Sequence, residues 1–178
     1  MASAIPGSKS WAGRERVDAH EGSLVSVSRQ FIFDTDRDEA VDAINSIALG
    51  RGWCNVVPRV ADEVPDISVK FTGLWVSHGA TEATFVTFGE RKGVIKPSSL
   101  GILHTRGRLG KERITLMLAG APFVIRQDHS NRGVLLDVPL DTPAAQVLEV
   151  MCSMTETLCD YDMTGGWRFD LYTRAVSP

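Results

Sequence analysis

The chain has 178 residues of which 43% are hydrophobic, enough for one well-buried core and too short for two, so a single domain is expected. A formal charge of -3 excludes a protein that coats nucleic acid over its whole surface, and no run approaches the ~18 apolar residues of a membrane-spanning helix. Three cysteines without a C-x-x-C pair make neither a disulfide framework nor a zinc site.

Residues 1–22 are mostly Ala, Ser, Gly and charges, with Ile5 and Trp11 as isolated apolar points, and are expected to form an extended N-terminal arm. Residues 23–178 form the expected domain. Leu24 to Phe33 reads as a first strand, and Ala40, Val41, Ile44, Ile47 and Ala48 then recur at helical spacing, predicting a helix from about Asp36 to Leu49. Gly50-Arg51-Gly52-Trp53 turns the chain into a strand at Cys54 to Val57, and Arg59 to Ser68, with Pro58 and Pro65 nearby, reads as a loop.

Turn signals then recur every eight to twelve residues and predict short strands at 69–77, 81–88, 94–96, 100–105, 113–118, 122–127 and 133–138. Such spacing implies an antiparallel meander. Thr142-Pro143 is a helix start, with Thr accepting from orphan N–H groups and Pro at the first helical position. Ala144, Val147, Leu148, Met151, Met154, Thr155 and Leu158 follow as one apolar stripe. Gly165-Gly166 is expected to end that pattern, and Trp167, Phe169 and Leu171 alternate with Arg168, Asp170 and Tyr172 as in a half-buried strand.

Strand, Asp-Thr, helix, Gly-Trp, strand thus occurs twice. Thr35 to Trp53 is 18 positions and Thr142 to Trp167 is 25, a difference close to two helical turns, which suggests an internal pseudo-repeat. The fold class expected is α+β, a mostly antiparallel meander with two amphipathic helices packed on one face. Val147, Leu148, Met151, Leu158, Ile44, Ile47, Phe85, Phe88, Leu116 and Leu118 are the expected core.

The chemical motifs are weak. Asp34-Thr35-Asp36-Arg37-Asp38 has the opening spacing of a calcium loop, but Glu39 stands where Gly is required and Asn45 where Glu is required, so acids at a helix start explain it. Gly107-Arg108-Leu109-Gly110-Lys111 lacks the first glycine of a phosphate loop, Thr105 standing there, and has Glu112 in place of Ser or Thr. His20, His78, His104 and His129 share no metal-ligand spacing with one another or with Cys or carboxylates. Asp128-His129 with Asn131 and Arg132, and His78 with Glu82, are local acid–base candidates, but hairpin turns select such residues anyway. No catalytic residue, metal or cofactor is assigned.

The stronger signal is electrostatic. Between residues 91 and 113 the seven cations Arg91, Lys92, Lys96, Arg106, Arg108, Lys111 and Arg113 meet one acid, Glu112, a local charge of +6, while twelve cations and twenty-one carboxylates elsewhere leave -9. That polarity can steer an anionic partner. The segment has no aromatic residues for base stacking, which lowers the nucleic-acid reading, and a charged edge also discourages strand aggregation.

The expected function is a non-enzymatic binding or assembly subunit, as in virion-type or other multi-subunit assemblies, with a protein partner or a second copy at the basic belt and no membrane partner. A small-molecule binder or enzyme with a pocket between sheet and helices is the alternative, and a nucleic-acid binder the third. The N-terminus lacks the apolar core of a secretory signal, and unpaired cysteines fit a reducing cytoplasm.

Overall fold

A computed structural model describes residues 25–47, 49–61, 81–90, 92–130 and 132–174. The expected arm at 1–22, the strand at 69–77 and most of the loop before it lie outside the described residues, as do Arg91, Asn131, His20 and His78.

The elements in chain order are β1 (Val25–Phe33), α1 (Asp38–Asn45), β2 (Gly52–Val60), β3 (Glu82–Val86), β4 (Ser98–Leu103), α2 (Lys111–Met117), β5 (Val124–His129), β6 (Gly133–Val138), α3 (Ala144–Leu158) and β7 (Met163–Arg174). Among the described residues seven strands form one sheet in the order β1-β7-β2-β3-β4-β6-β5, every neighbouring pair antiparallel. This is the α+β architecture expected, built around a sheet with helices on one face.

Because neighbours alternate in direction, β1 and β2 run parallel on either side of β7, and β6 and β7 run parallel across three intervening strands. Each of these pairs is joined by a helical crossover, through α1 and α3 respectively. The two crossovers start from strands of opposite sense and travel in opposite directions, so they share one hand only if their helices lie on the same face. They do, since α1 packs on α3, in keeping with the single hand that parallel connections adopt. The twice-occurring sequence pattern therefore becomes two like-handed crossovers that span different numbers of strands.

α3 is the centre of the helical layer, lying on β2, β3 and β4 with α1 and α2 beside it. Val147, Leu148, Met151, Met154 and Leu158 are buried along its stripe against Val56, Phe85, Leu100 and Phe169 of the sheet. Thr155 sits in the same apolar stripe because its hydroxyl donates back to the Met151 carbonyl at 2.8 Å and accepts from the Trp167 indole N–H at 3.2 Å. A buried hydroxyl and a buried indole thus satisfy each other. Phe31 stacks on Phe169 with centroids 5.0 Å apart, and Phe33 on Trp167 at 5.7 Å, locking β1 onto β7.

Several expectations are corrected by these contacts. A third helix, α2, replaces the strand expected at 113–118. Ile114 and Leu118 share a helical face and are buried, whereas Leu116 between them is 80% exposed and leaves the expected core. An apolar triplet at i, i+2, i+4 satisfies both periods at its ends, and only the middle residue tells them apart. Phe88 also leaves the core, because β3 ends at Val86 and the chain turns outward. Residues 94–96 belong to the β3–β4 connection and not to a strand of the sheet.

α3 starts one residue later than expected. Pro143 itself occupies the cap position, no side chain caps the helix, and the buried Thr142 hydroxyl has no partner among the described residues. Gly165 and Gly166 do not end the helical pattern either, since α3 stops at Leu158 and both glycines are inside β7. Gly166 has φ of +70°, and a Cβ there would collide with the Phe33 carbonyl oxygen, so glycine allows β1 and β7 to close at that end.

Cys54, Cys152 and Cys159 are buried free thiols. Burial pushes the Cys152 thiol up to about 12 and raises Cys54 as well. A thiol reagent is expected to label these two slowly in the folded protein and to count three thiols after denaturation without reductant; a count below three would expose a disulfide. No helix among the described residues is long and apolar enough to cross a membrane.

Candidate functional site

The basic belt divides in space. Lys92 and Lys96 lie in the β3–β4 connection at one end of β4, while Arg106 and Arg108, in the loop after β4, and Lys111 and Arg113, on α2, lie at the other end. β4 is six residues long, which at ~3.3 Å per residue separates the two groups by about 20 Å. Consecutive charges on the chain are therefore two patches, with Arg91 outside the described residues.

At the α2 end, the cations differ in how far they are committed. Arg106 donates from Nε to Asp160 Oδ1 at 2.8 Å and from a terminal nitrogen to the Cys159 carbonyl at 3.1 Å, tying the loop to the end of α3. The Thr105 hydroxyl and Arg106 together hold the Asp160 carboxyl below its ordinary value. Arg106 is thus a fastening of the fold. Arg108 is mostly exposed, with Nε 3.7 Å from Asp128. Lys111 and Arg113 are exposed and have no partner among the described residues.

Asp128 is the carboxylate that organises this end. It is nearly buried on β5, and its two oxygens accept from the Leu109 and Gly110 backbone N–H groups at 3.0 and 2.7 Å. Those two bonds hold the loop against β5 and set the chain's entry into α2. Between this loop and β5 lies a half-open groove of about 370 Å³ lined by Arg108, Gly110, Lys111, Ile125, Arg126, Gln127 and Asp128. Arg126, on the far wall, is 3.3 Å from Asp137. Three cations thus border a groove whose single acid is already hydrogen-bonded.

His104 stands beneath this loop. It is buried, its Nδ1 accepts from the Arg106 N–H at 3.3 Å, and its Nε2 has no partner among the described residues. Burial lowers its pKa against the pull of Asp128 and Asp160, so the ring is neutral at pH 7. A neutral ring adds no positive charge to the groove.

A second polar assembly, absent from the expected sites, lies on the sheet face away from the helices. The register places Gln30 beside Asp170, Asp170 beside Asn55, and Asn55 beside Thr84, a row across four strands. Asp170 is buried and accepts from Gln30 Nε2 at 2.5 Å and Arg168 Nε at 3.1 Å. Trp53 and Tyr172 stack as the next cross-strand pair, 4.9 Å apart.

Two residues before Thr84 on β3, Glu82 has its carboxyl pushed up to about 7 by burial, with Asp170 raising it further and Thr84 and Arg168 opposing. Thr84 Oγ1 lies 3.4 Å from Glu82 Oε1 and 3.0 Å from Asn55 Oδ1. One hydroxyl proton cannot serve both acceptors at once, so Thr84 donates to Glu82 or to Asn55 but not to both. The alternation of Arg168, Asp170 and Tyr172 was the one sequence signal for this face. What it lacked was the register that sets Asp170 against Asn55 and Gln30.

Among the described residues no group of three or more His, Cys, Asp or Glu side chains is arranged to hold a metal ion. Compared with known proteins, the chain matches no family model, no curated protein and no solved structure.

Proposed function

We propose that this protein is a non-enzymatic binding and assembly subunit that receives an acidic protein surface, in the first instance that of a second copy, at the groove between α2 and β5. The supporting observation is the ring of Arg108, Lys111 and Arg126 around a groove whose only carboxylate, Asp128, is spent on two backbone amides. Such cations steer an incoming carboxylate and can form charge-assisted hydrogen bonds with it. The charge of -9 outside residues 91–113 supplies a complementary surface on every copy.

Replacing Arg108 and Lys111 by Glu changes the groove by four charge units while leaving the Arg106 and Asp128 fastenings in place. Sedimentation velocity is expected to show concentration-dependent self-association of the wild type, weakened as salt shortens the Debye length from about 10 Å at 0.1 M to about 3 Å at 1 M, and lost in the variant. Self-association that survives the reversal would move the interface elsewhere. A groove of about 370 Å³ is also within the range of small-ligand pockets, which favours a phosphorylated small molecule as the second reading. Calorimetry with inorganic pyrophosphate distinguishes it: heat of binding lost in the same variant, with no self-association in the wild type, selects the small anion.

A further inference from the structure

The other half of the basic belt has a different character. In the β3–β4 connection, Lys92 and Gly93 both have positive φ, 56° and 76°, the backbone of a tight hairpin turn. That turn projects Val94, 60% exposed, and Ile95, 43% exposed, between Lys92 and Lys96. Among the described residues nothing stands within 4 Å of where a Gly93 side chain would begin.

The base of the tip is fixed to the rest of the fold. The Gly50 N–H donates to Thr87 Oγ1 at 3.2 Å, and Gly50 lies so close to the Phe88-Gly89 backbone that a side chain at Gly50 would collide with the Gly89 nitrogen. This contact brings exposed Leu49, on the α1–β2 turn, beside exposed Phe88 at the root of the tip. Four large apolar side chains from two turns therefore share one end of the sheet. Around them are Arg51, Lys92 and Lys96, against one carboxylate, Glu90, among the described residues.

Exposed apolar side chains grouped at one end of the sheet with a charged rim mark an interaction surface. Its composition says which kind. Protein–protein interface cores favour Tyr, Trp, Phe, Met and Arg and are depleted in Lys, whereas three of these four side chains are aliphatic and the tip is bracketed by lysines whose long stems can lie along an apolar phase with the ammonium in a phosphate layer.

We propose that the 92–96 tip, with Leu49 and Phe88 at its base, docks peripherally on an anionic lipid bilayer, Val94 and Ile95 entering the headgroup–acyl boundary and Lys92 and Lys96 meeting lipid phosphates. No spanning helix is needed for this, so it is compatible with the absence of a long apolar helix among the described residues.

The test is sedimentation of the full chain with phosphatidylcholine vesicles and with vesicles containing phosphatidylserine as well. The wild type is expected to pellet with the anionic vesicles only. Val94→Asp with Ile95→Asp is expected to abolish pelleting, and Lys92→Ala with Lys96→Ala to weaken it by about fivefold per lysine. Unchanged circular dichroism melting of these loop variants keeps the fold as a control. Equal pelleting with both vesicle types, no pelleting of the wild type, or pelleting that persists in the double Asp variant overturns the proposal, and so does loss of self-association in that variant without lipid, which would give the tip to a second copy. Arg108→Glu with Lys111→Glu is expected to leave vesicle binding intact, which separates this surface from the groove.

Discussion

Leu148→Ala is expected to destabilise the protein by about 2–5 kcal/mol, from the lost transfer energy of the side chain together with the cavity it leaves. Leu148 is fully buried on α3, the helix that lies on β2, β3 and β4 and contacts both other helices, so no single neighbour can collapse into the space without disturbing a second layer of contacts. The loss should stand near the upper part of that range. Chemical denaturation followed by far-ultraviolet circular dichroism measures it as a lower midpoint with an unchanged slope. A midpoint close to that of the wild type would mean that α3 presents a different face to the sheet.

Glu82 is expected to make the protein less stable as pH rises from about 4.5 to about 7. Its carboxyl is raised from 4.5 to about 7 in the folded state, chiefly by burial. The folded state therefore holds the proton more tightly than the unfolded chain, stability from this group is fully present below the unfolded value, and it is lost as pH climbs through the folded value. A shift of this size corresponds to about 3 kcal/mol. Glu82→Gln keeps the size and an acceptor for Thr84 without the charge, so it is expected to raise stability at pH 8 by that amount and to change little at pH 4. Denaturation midpoints of the two proteins across this range make the comparison. Parallel curves, with no convergence toward acid pH, would show that Glu82 is ionised in the fold and well solvated.

The direction of the Glu82 effect bears on the sheet face as a whole. Asp170 accepts from Arg168 and Gln30, whereas Glu82 has only a hydroxyl at 3.4 Å. Two carboxyls on one face thus differ in the donors that stand beside them.

How much of this was legible beforehand depended on the range over which each property is decided. The α3 stripe and the alternation of β7 follow from residues within a few positions of one another, because helical and strand periods sort apolar side chains locally, and Val147, Leu148, Met151 and Leu158 are buried as their spacing requires. The antiparallel sheet followed from the spacing of turns. α2 was misread because Ile114, Leu116 and Leu118 alternate as a strand does; its helical form is associated with Asp128, distant in sequence, holding the Leu109 and Gly110 amides at its start, and with a place for Ile114 in the core.

The candidate sites were decided almost wholly by tertiary structure. The chain itself determined that the cations of residues 91–113 are concentrated in one stretch, but β4 runs through the middle of that stretch and carries its two halves to opposite ends of the sheet. Likewise Gln30, Asn55, Thr84 and Asp170 are scattered over four strands, and each is an ordinary polar residue at an alternate position. Only the cross-strand register places them side by side, and register is fixed by which apolar faces must meet α3, a contact between parts of the chain far apart in sequence.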